Sequence, residues 1–399
     1  MEEWKKVKLG EVCDLIAGFA FKANDFGNYS SKVIKIGDIN PPYVNFATMI
    51  GVDMSNYDRE KLQRYEVCYD DFVLAMTGAT IGKVGRYIEK TPAYLNQRVL
   101  LFRPFAAQNK YIYHLVCSES FHKYVINHID SESAQPNISA ATIGKYEFYL
   151  PPSPVQKHIA NILSSLDDKI ELNRRINDNL EQQAQALFKS WFVDFEPWGG
   201  KMPNDWKEGN AEDFFEINIG KTPPRKEKEW FSTSSNDTIW VSISDMGESG
   251  LFISSSSERL TKEAIKRFNI IMVPKNTILL SFKLTVGRTA IAQTELTTNE
   301  AIARFILPDV KYREYLYLLL SNYNYSRLGS TSSIATAVNS KIIKGMQIVM
   351  PTKDVIERFN EKTKALFNQI SNNQRESARL ASIRDTLLPK LMSGELKIS

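Results

Sequence analysis

The sequence predicts an α+β chain built twice over, each copy a mixed α/β segment followed by one long helix. Three observations predict it. A heptad run recurs 200 residues later, landmark residues ahead of each run recur at nearly the same offset, and 43% of the 399 residues are hydrophobic. That content is too apolar for a disordered chain, and the length exceeds one ordinary domain. The expected architecture is two mixed α/β domains separated by two long helices that pair as an antiparallel coiled coil, the halves related by a pseudo-twofold axis. The boundaries read as residues 1–150, 151–198, 199–350 and 351–399.

The first globular segment alternates β-rich runs, Lys32 to Ile39 and Phe72 to Met76, with Gly, Asn and Pro turns, and a helical run begins near Lys110. The second copy answers with Thr238 to Ile243, Thr277 to Phe282 and a helical run from Arg313 to Leu320. Trp4-Lys5 matches Trp206-Lys207 at an offset of 202, Thr80-Ile81-Gly82-Lys83 matches Thr285-Val286-Gly287-Arg288 at 205, and Asn96 matches Asn299 at 203. Such drift places insertions in the globular parts, where a loop lengthens at little cost, whereas a packed helix pair must hold its register.

The helices are legible from their seam. Ile159, Leu166, Asn173, Leu180 and Leu187 recur every seven residues, interleaved with Leu163, Ile170, Asn177, Ala184 and Trp191. An offset of 200 turns the first set into Phe359, Leu366, Asn373, Leu380 and Leu387, links Ile170 to Ile370, and leaves four residues of the five identical. Ser153-Pro154-Val155-Gln156 predicts a capped start with Gln156 completing a capping box, while Thr352 and Asp354 open the second helix with Val355 at the box position. The first helix is expected to run toward Phe195 and stop before Pro197, and the second to kink or end at Pro389. Each would be about 60 Å long at about 1.5 Å per residue. If the axis passes through the Asn positions, Asn173 meets Asn373 and fixes register; the alternative places each Asn at the solvent edge of the seam.

Lys plus Arg number 50 against 46 Asp plus Glu, a formal +4 with pI near 8.7, which permits a nucleic-acid partner without demanding one. Cys13, Cys68 and Cys117 form no CxxC pair, and His114, His122, His128 and His158 all precede residue 160. Both facts argue against a disulfide framework, a zinc site and triad chemistry. No apolar signal core opens the chain, and the longest apolar stretch, near Tyr315 to Leu320, is far shorter than the roughly 20 residues a membrane helix needs. A soluble, cytoplasmic protein is expected.

The repeated loop carries the chemistry. Thr77, Thr80, Gly82 and Lys83 in the first copy, and Ser281, Lys283, Thr285 and Arg288 in the second, combine small residues that let a backbone approach a phosphate, hydroxyl donors and a cation. The alternative is a plain hairpin loop. Asn96, Gln97, Arg98 and Asn299 are base-edge candidates, since Asn and Gln bond adenine bidentately and Arg bonds guanine; each Asn is equally a turn residue. Arg225 and Lys226, in a turn-rich basic loop, and Lys22 are further DNA-contact candidates. Asn40-Pro41-Pro42-Tyr43 spells the catalytic tetrapeptide of N6-adenine methyltransferases. Only 39 residues precede it, too few for the cofactor-binding unit such an enzyme needs, and the second copy has no counterpart, so a methyltransferase stands as the minor alternative beside a scaffold that reads no DNA.

The Trp-Lys openings, the Thr-Ile/Val-Gly-Lys/Arg loops, Leu150-Pro151-Pro152 and Met350-Pro351 before the helices, the Leu187 to Pro197 run and the terminal Leu387 to Leu396 run resemble the specificity subunit of type I restriction-modification enzymes over essentially the whole chain. The resemblance implies two target-recognition domains, each reading one half of a bipartite asymmetric site on double-stranded DNA, with the helices setting the spacer. It further implies docking of two methyltransferase subunits on the helices and, through them, two restriction/translocase subunits. No catalysis and no cofactor would reside in this chain; S-adenosylmethionine, ATP and magnesium would sit on the partners. Trp191, Phe192 and Phe195 form an apolar cluster offered as a docking patch, the alternative being that they pack on the neighbouring domain.

Overall fold

A computed structural model describes residues 4–130, 136–328 and 338–396. The chain divides into two compact units, residues 1–169 with 379–399 and residues 170–378. Each is a mixed α/β body that takes in part of both long helices.

In the first unit, Lys5–Lys8 pairs antiparallel with Glu147–Leu150, so the strand that opens the globule and the strand that leads into the long helix lie side by side. Between them fold a six-stranded sheet, in the order Cys13–Ala17, Val99–Pro104, Phe72–Ala75, Val84–Arg86, Tyr43–Val44 and Ile39–Asn40, and a four-stranded sheet. The central strands Phe72–Ala75 and Val99–Pro104 are apolar runs, and helix Asn109–Val116 covers them with Tyr111, Ile112 and Leu115. The tetrapeptide Asn40 to Tyr43 is the turn of a small hairpin, Asn40 opposite Tyr43, with the Pro42 carbonyl accepting from the Arg86 amide at 2.9 Å.

The second unit repeats the plan. Lys207–Asn210 pairs with Gln347–Met350, and a five-stranded sheet runs Glu216–Ile219, Ile302–Ile306, Ile278–Ser281, Thr289–Ala292 and Phe252–Ile253, beside another sheet of four strands. Helix Arg313–Ser321 buries Tyr315, Leu316, Tyr317 and Leu318 against it. Glu314, fully buried, is matched by Arg313 and by the Asn360 amide of the long helix at 2.8 Å, as a buried carboxylate must be.

The long helices span Ser153–Phe192 and Lys353–Met392, 40 residues each. Within the second unit they run antiparallel: Asn173 donates to Ser377 (3.3 Å) and to Glu376 (2.8 Å), Asn373 donates to Asn177 (2.8 Å), and Trp191 lies against Phe359. Asn173 and Asn373 therefore do not meet as the seam pattern predicted. The local twofold falls between Asn173 and Asn177, so each Asn bonds one helical turn away from its expected partner. Ala184, Trp191, Phe359 and Ile370 are buried in the core of this unit, with Leu180, Leu187 and Leu366 packed against it. Phe188 and Phe367, outside the predicted seam, are buried there too. Within the first unit Ile159 and Leu163 share a core with Leu391 and the half-buried Leu387, and Arg384 pairs with Asp167 at 2.7 Å. Leu166, Ile170 and Leu380 are half-buried.

Two helix expectations are corrected. Gln156 builds no capping box; its amide donates to the Pro151 carbonyl and its oxygen accepts from the Gln108 amide, both at 2.8 Å, tying the helix start to its own globule. The second helix passes through Pro389 to Met392. So near the end, the lost hydrogen bond and the ring clash fall on a single turn, which the core contact of Leu391 outweighs.

Candidate nucleic-acid interface

The strand registers decide where the candidate residues gather. In the first unit Ala17 lies opposite Leu100 and Ala75 opposite Val99. The segments that follow Cys13–Ala17 and Phe72–Ala75 and the segment that precedes Val99–Pro104 must therefore emerge at one end of the sheet. They carry Lys22, the loop from Thr77 to Lys83, and Asn96, Gln97 and Arg98. Backbone bonds knit them together: Gly18 N donates to Val99 O, Phe19 N to Leu95 O, and Met76 N to Arg98 O.

The second unit reproduces this end. Ile219 lies opposite Ala303 and Ser281 opposite Ile302, so Lys221 to Lys226, Lys283 to Arg288 and Asn299 emerge together. Lys221 N donates to Thr298 O and Phe282 N to Ala301 O, the counterpart of the Met76 bond. Gly18 and Gly220 occupy the same place: a Cβ on Gly18 would overlap the Asn96 carbonyl oxygen, and one on Gly220 the Asn299 carbonyl oxygen. Glycine there lets the strand end lie directly on the repeated Asn. Neither residue was singled out from the sequence for this role, although their shared offset of 202 equals that of Trp4 and Trp206.

Both loops are hairpin connections held at their necks. Gly82 N returns to Ala75 O with φ +81°, and Gly287 N returns to Ser281 O with φ +97°. Lys83, Gln97 and Arg98 stand exposed, Thr80 and Asn96 half-exposed. Lys22, Lys226, Lys283, Thr285 and Arg288 are likewise exposed, and the Arg288 guanidinium donates to the Ile243 carbonyl at 3.0 Å. Asn96 and Asn299 turn their side-chain oxygens inward, to the Gln97 and Ala301 amides, as turn residues do, which leaves their amide groups for other partners.

Several candidates are corrected. Ser281 is 0% exposed; its hydroxyl donates to the Thr285 carbonyl and accepts from the Arg288 amide, so it shapes the loop from within. Thr77, 4% exposed, donates to the Pro136 carbonyl at 3.1 Å. Gly82 is buried, with His122 and Val125 around its Cα, and offers no backbone face. Arg225, by contrast, stays exposed while it stacks on Phe231 and Trp240, each ring centroid 4.5 Å away, and pairs with Glu258 at 2.7 Å. The docking patch is corrected as well. Trp191 is 6% exposed and sits among Trp198, Phe192 and Phe359, while the half-buried Phe192 packs on Tyr315 and Phe195 on Trp206, so Trp191 belongs to the core of the second unit and the two Phe pack against it.

What remains at each sheet end is a set of exposed cations with exposed or half-exposed amides and a hydroxyl, on backbone fixed from two sides: donors for phosphates and base edges. In the second unit Glu300 stands beside them and accepts from the Thr222 hydroxyl. Among the described residues no group of His, Cys, Asp and Glu could hold a metal ion, and no helix is long and apolar enough to cross a membrane.

Comparison with known proteins agrees with this chemistry. A family model described as the type I restriction modification DNA specificity domain matches residues 1–182 and again 203–381. The chain is 24% identical to the type I restriction enzyme HindI specificity subunit of Haemophilus influenzae over 99% of this chain and 100% of that one. It is 27% identical to the MjaIX specificity subunit of Methanocaldococcus jannaschii over 82% and 78%. In fold it is similar to the crystal structure of the S subunit of a type I restriction-modification system from M. genitalium, with a TM-score of 0.54 at 15% identity over 99% of this chain and 97% of that one. With two copies of the specificity domain filling almost its whole length, the chain belongs to the family of type I restriction-modification DNA specificity subunits, non-catalytic members of their complexes.

Proposed function

We propose that each unit reads one half of a bipartite, asymmetric site in double-stranded DNA with the sheet end described above. In this reading Lys83, Arg98, Lys283 and Arg288 hold phosphates or guanine edges, and Gln97 and the amides of Asn96 and Asn299 face base edges. Lys22, Thr80, Lys226 and Thr285 add contacts at the rim. The observation that carries the reading is the convergence, in each unit separately, of the same three repeated segments at one sheet end with their cations outward. Plain hairpin loops in a scaffold would need no such coincidence.

The two 40-residue helices, each about 60 Å long, set the number of unread base pairs between half-sites and seat two methyltransferase subunits, to which two restriction/translocase subunits join. S-adenosylmethionine, ATP and magnesium belong to those partners. The test is a map of N6-methyladenine in a host with and without this gene. The reading expects one two-part motif to vanish with the gene; an unchanged map overturns it.

A further inference from the structure

Among the described residues, Leu284 is the most anomalous side chain. It is 99% exposed, and its backbone is left-handed, with φ +60°. Leucine has no local reason to be there, since its Cβ crowds the following carbonyl in that conformation and its apolar surface gains nothing in water. The first unit shows what the position requires. Met76 and Phe282 make equivalent bonds to Arg98 and Ala301, and two residues further on stand Gly78, with φ +73°, and Leu284. The second loop is one residue shorter and puts leucine where the first has glycine. Lys283 and Thr285 flank it, both exposed, and Arg288 stands on the same loop.

We infer that Leu284 is a wedge that enters the base stack of duplex DNA at one step of the second half-site. This rests on the reading of that sheet end as a DNA-binding face. An apolar side chain at a cationic loop tip, with nothing packed along its flanks, is built to be buried by the partner. Phosphates held by Lys283 and Arg288 would aim it at a base step, where leucine unstacks a pair and bends the duplex. The strained backbone keeps the side chain pointing away from its own unit. In the first unit Gly78 has no side chain to insert, so the distortion belongs to one half-site only.

The test uses the full-length chain and a duplex carrying its methylated motif, with 2-aminopurine placed at successive steps. Wild-type protein should brighten 2-aminopurine at one step of one half-site. Leu284→Gly should abolish that signal and weaken binding about tenfold, as losing a buried leucine does. The same variant should unfold at a higher temperature than wild type, because glycine relieves the left-handed strain, and should keep the salt dependence of binding. Replacing thymine by uracil around that step should change little; if uracil reproduces the loss, the leucine touches a thymine methyl and the wedge is wrong. If Lys283→Ala with Arg288→Ala weakens binding while Leu284→Gly does not, the wedge fails and the DNA face stands. If neither change affects binding, the DNA face itself fails.

Discussion

The buried Asn373 donates its side-chain amide to Asn177 at 2.8 Å across the antiparallel helices, and Gln369, exposed at the seam's edge, donates to the Asn373 oxygen. A polar pair inside an apolar seam costs stability and gains a unique register, because any slip strands both groups without partners. Asn373→Leu should destabilise the second unit by about 1 kcal/mol, the net worth of the lost hydrogen bonds, since the half-exposed Asn177 and the exposed Gln369 can turn to water. Asn177→Leu with Asn373→Leu should recover most of that loss. Thermal denaturation of the full-length chain reads both.

His114 supplies a pH prediction. It is buried beside Ser164 of the first long helix, and burial, followed by the Arg86, Arg384 and Lys110 cations, pushes its imidazole down to about 3. Asp167 lies 3.8 Å away but is already matched by Arg384 at 2.7 Å, so its charge does not rescue an imidazolium. The folded state keeps this His neutral while the unfolded chain protonates it below about 6.5. The stability it contributes is therefore complete above that pH and is lost as pH falls toward 3, by up to about 1.4 kcal/mol per pH unit. His114→Gln should flatten the slope of denaturation midpoint against pH in that window.

Lys83 and Arg288 occupy the same repeated place, each exposed at its sheet end. Lys83→Ala and Arg288→Ala should each weaken DNA binding across sequences. Each should also lower the slope of log affinity against log salt by about 1, the share of one released counterion. Fluorescence anisotropy over a salt series measures it; unchanged slopes would remove these cations from the interface.

Trp191 offers the converse. As core, Trp191→Ala should cost about 3–5 kcal/mol and lower the unfolding temperature of the second unit. As a docking patch, it would leave stability intact and weaken assembly alone. Calorimetry of the isolated full-length chain separates the two.

The repeat was legible because identical residues at a fixed offset report a shared packing constraint: Asn173 and Asn373, or Leu166 and Leu366, need their holes. Which residue faces which was not, because a period of seven gives the stripe on a helix but not its axial shift against a partner. That is why Asn373 meets Asn177 and not Asn173. The loops were found by their composition, yet Ser281 and Lys283 look alike to such a reading and differ completely in burial. Phe188 and Phe367 escaped the seam pattern because they are buried by the globule beside the helix pair, a second surface that a heptad does not encode. Gly18 and Gly220 were visible only as small residues, since nothing in a linear sequence tells that an Asn carbonyl lies against their Cα atoms.

Gly18→Ala and Gly220→Ala follow from that contact. The added Cβ would overlap the backbone carbonyl of Asn96 or Asn299, which cannot yield without moving the strand end. Each change should impair only the unit that carries it, and in the methylation map each should relax or erase one half of the motif.

The most direct measurement is a domain exchange. Residues 1–150 are replaced by the matching segment of another specificity subunit, with both long helices kept, and N6-methyladenine is mapped in the host. The account predicts a motif with one half replaced, the other half unchanged and the same number of unread base pairs between them. A motif altered in both halves, or one not altered at all, would contradict it.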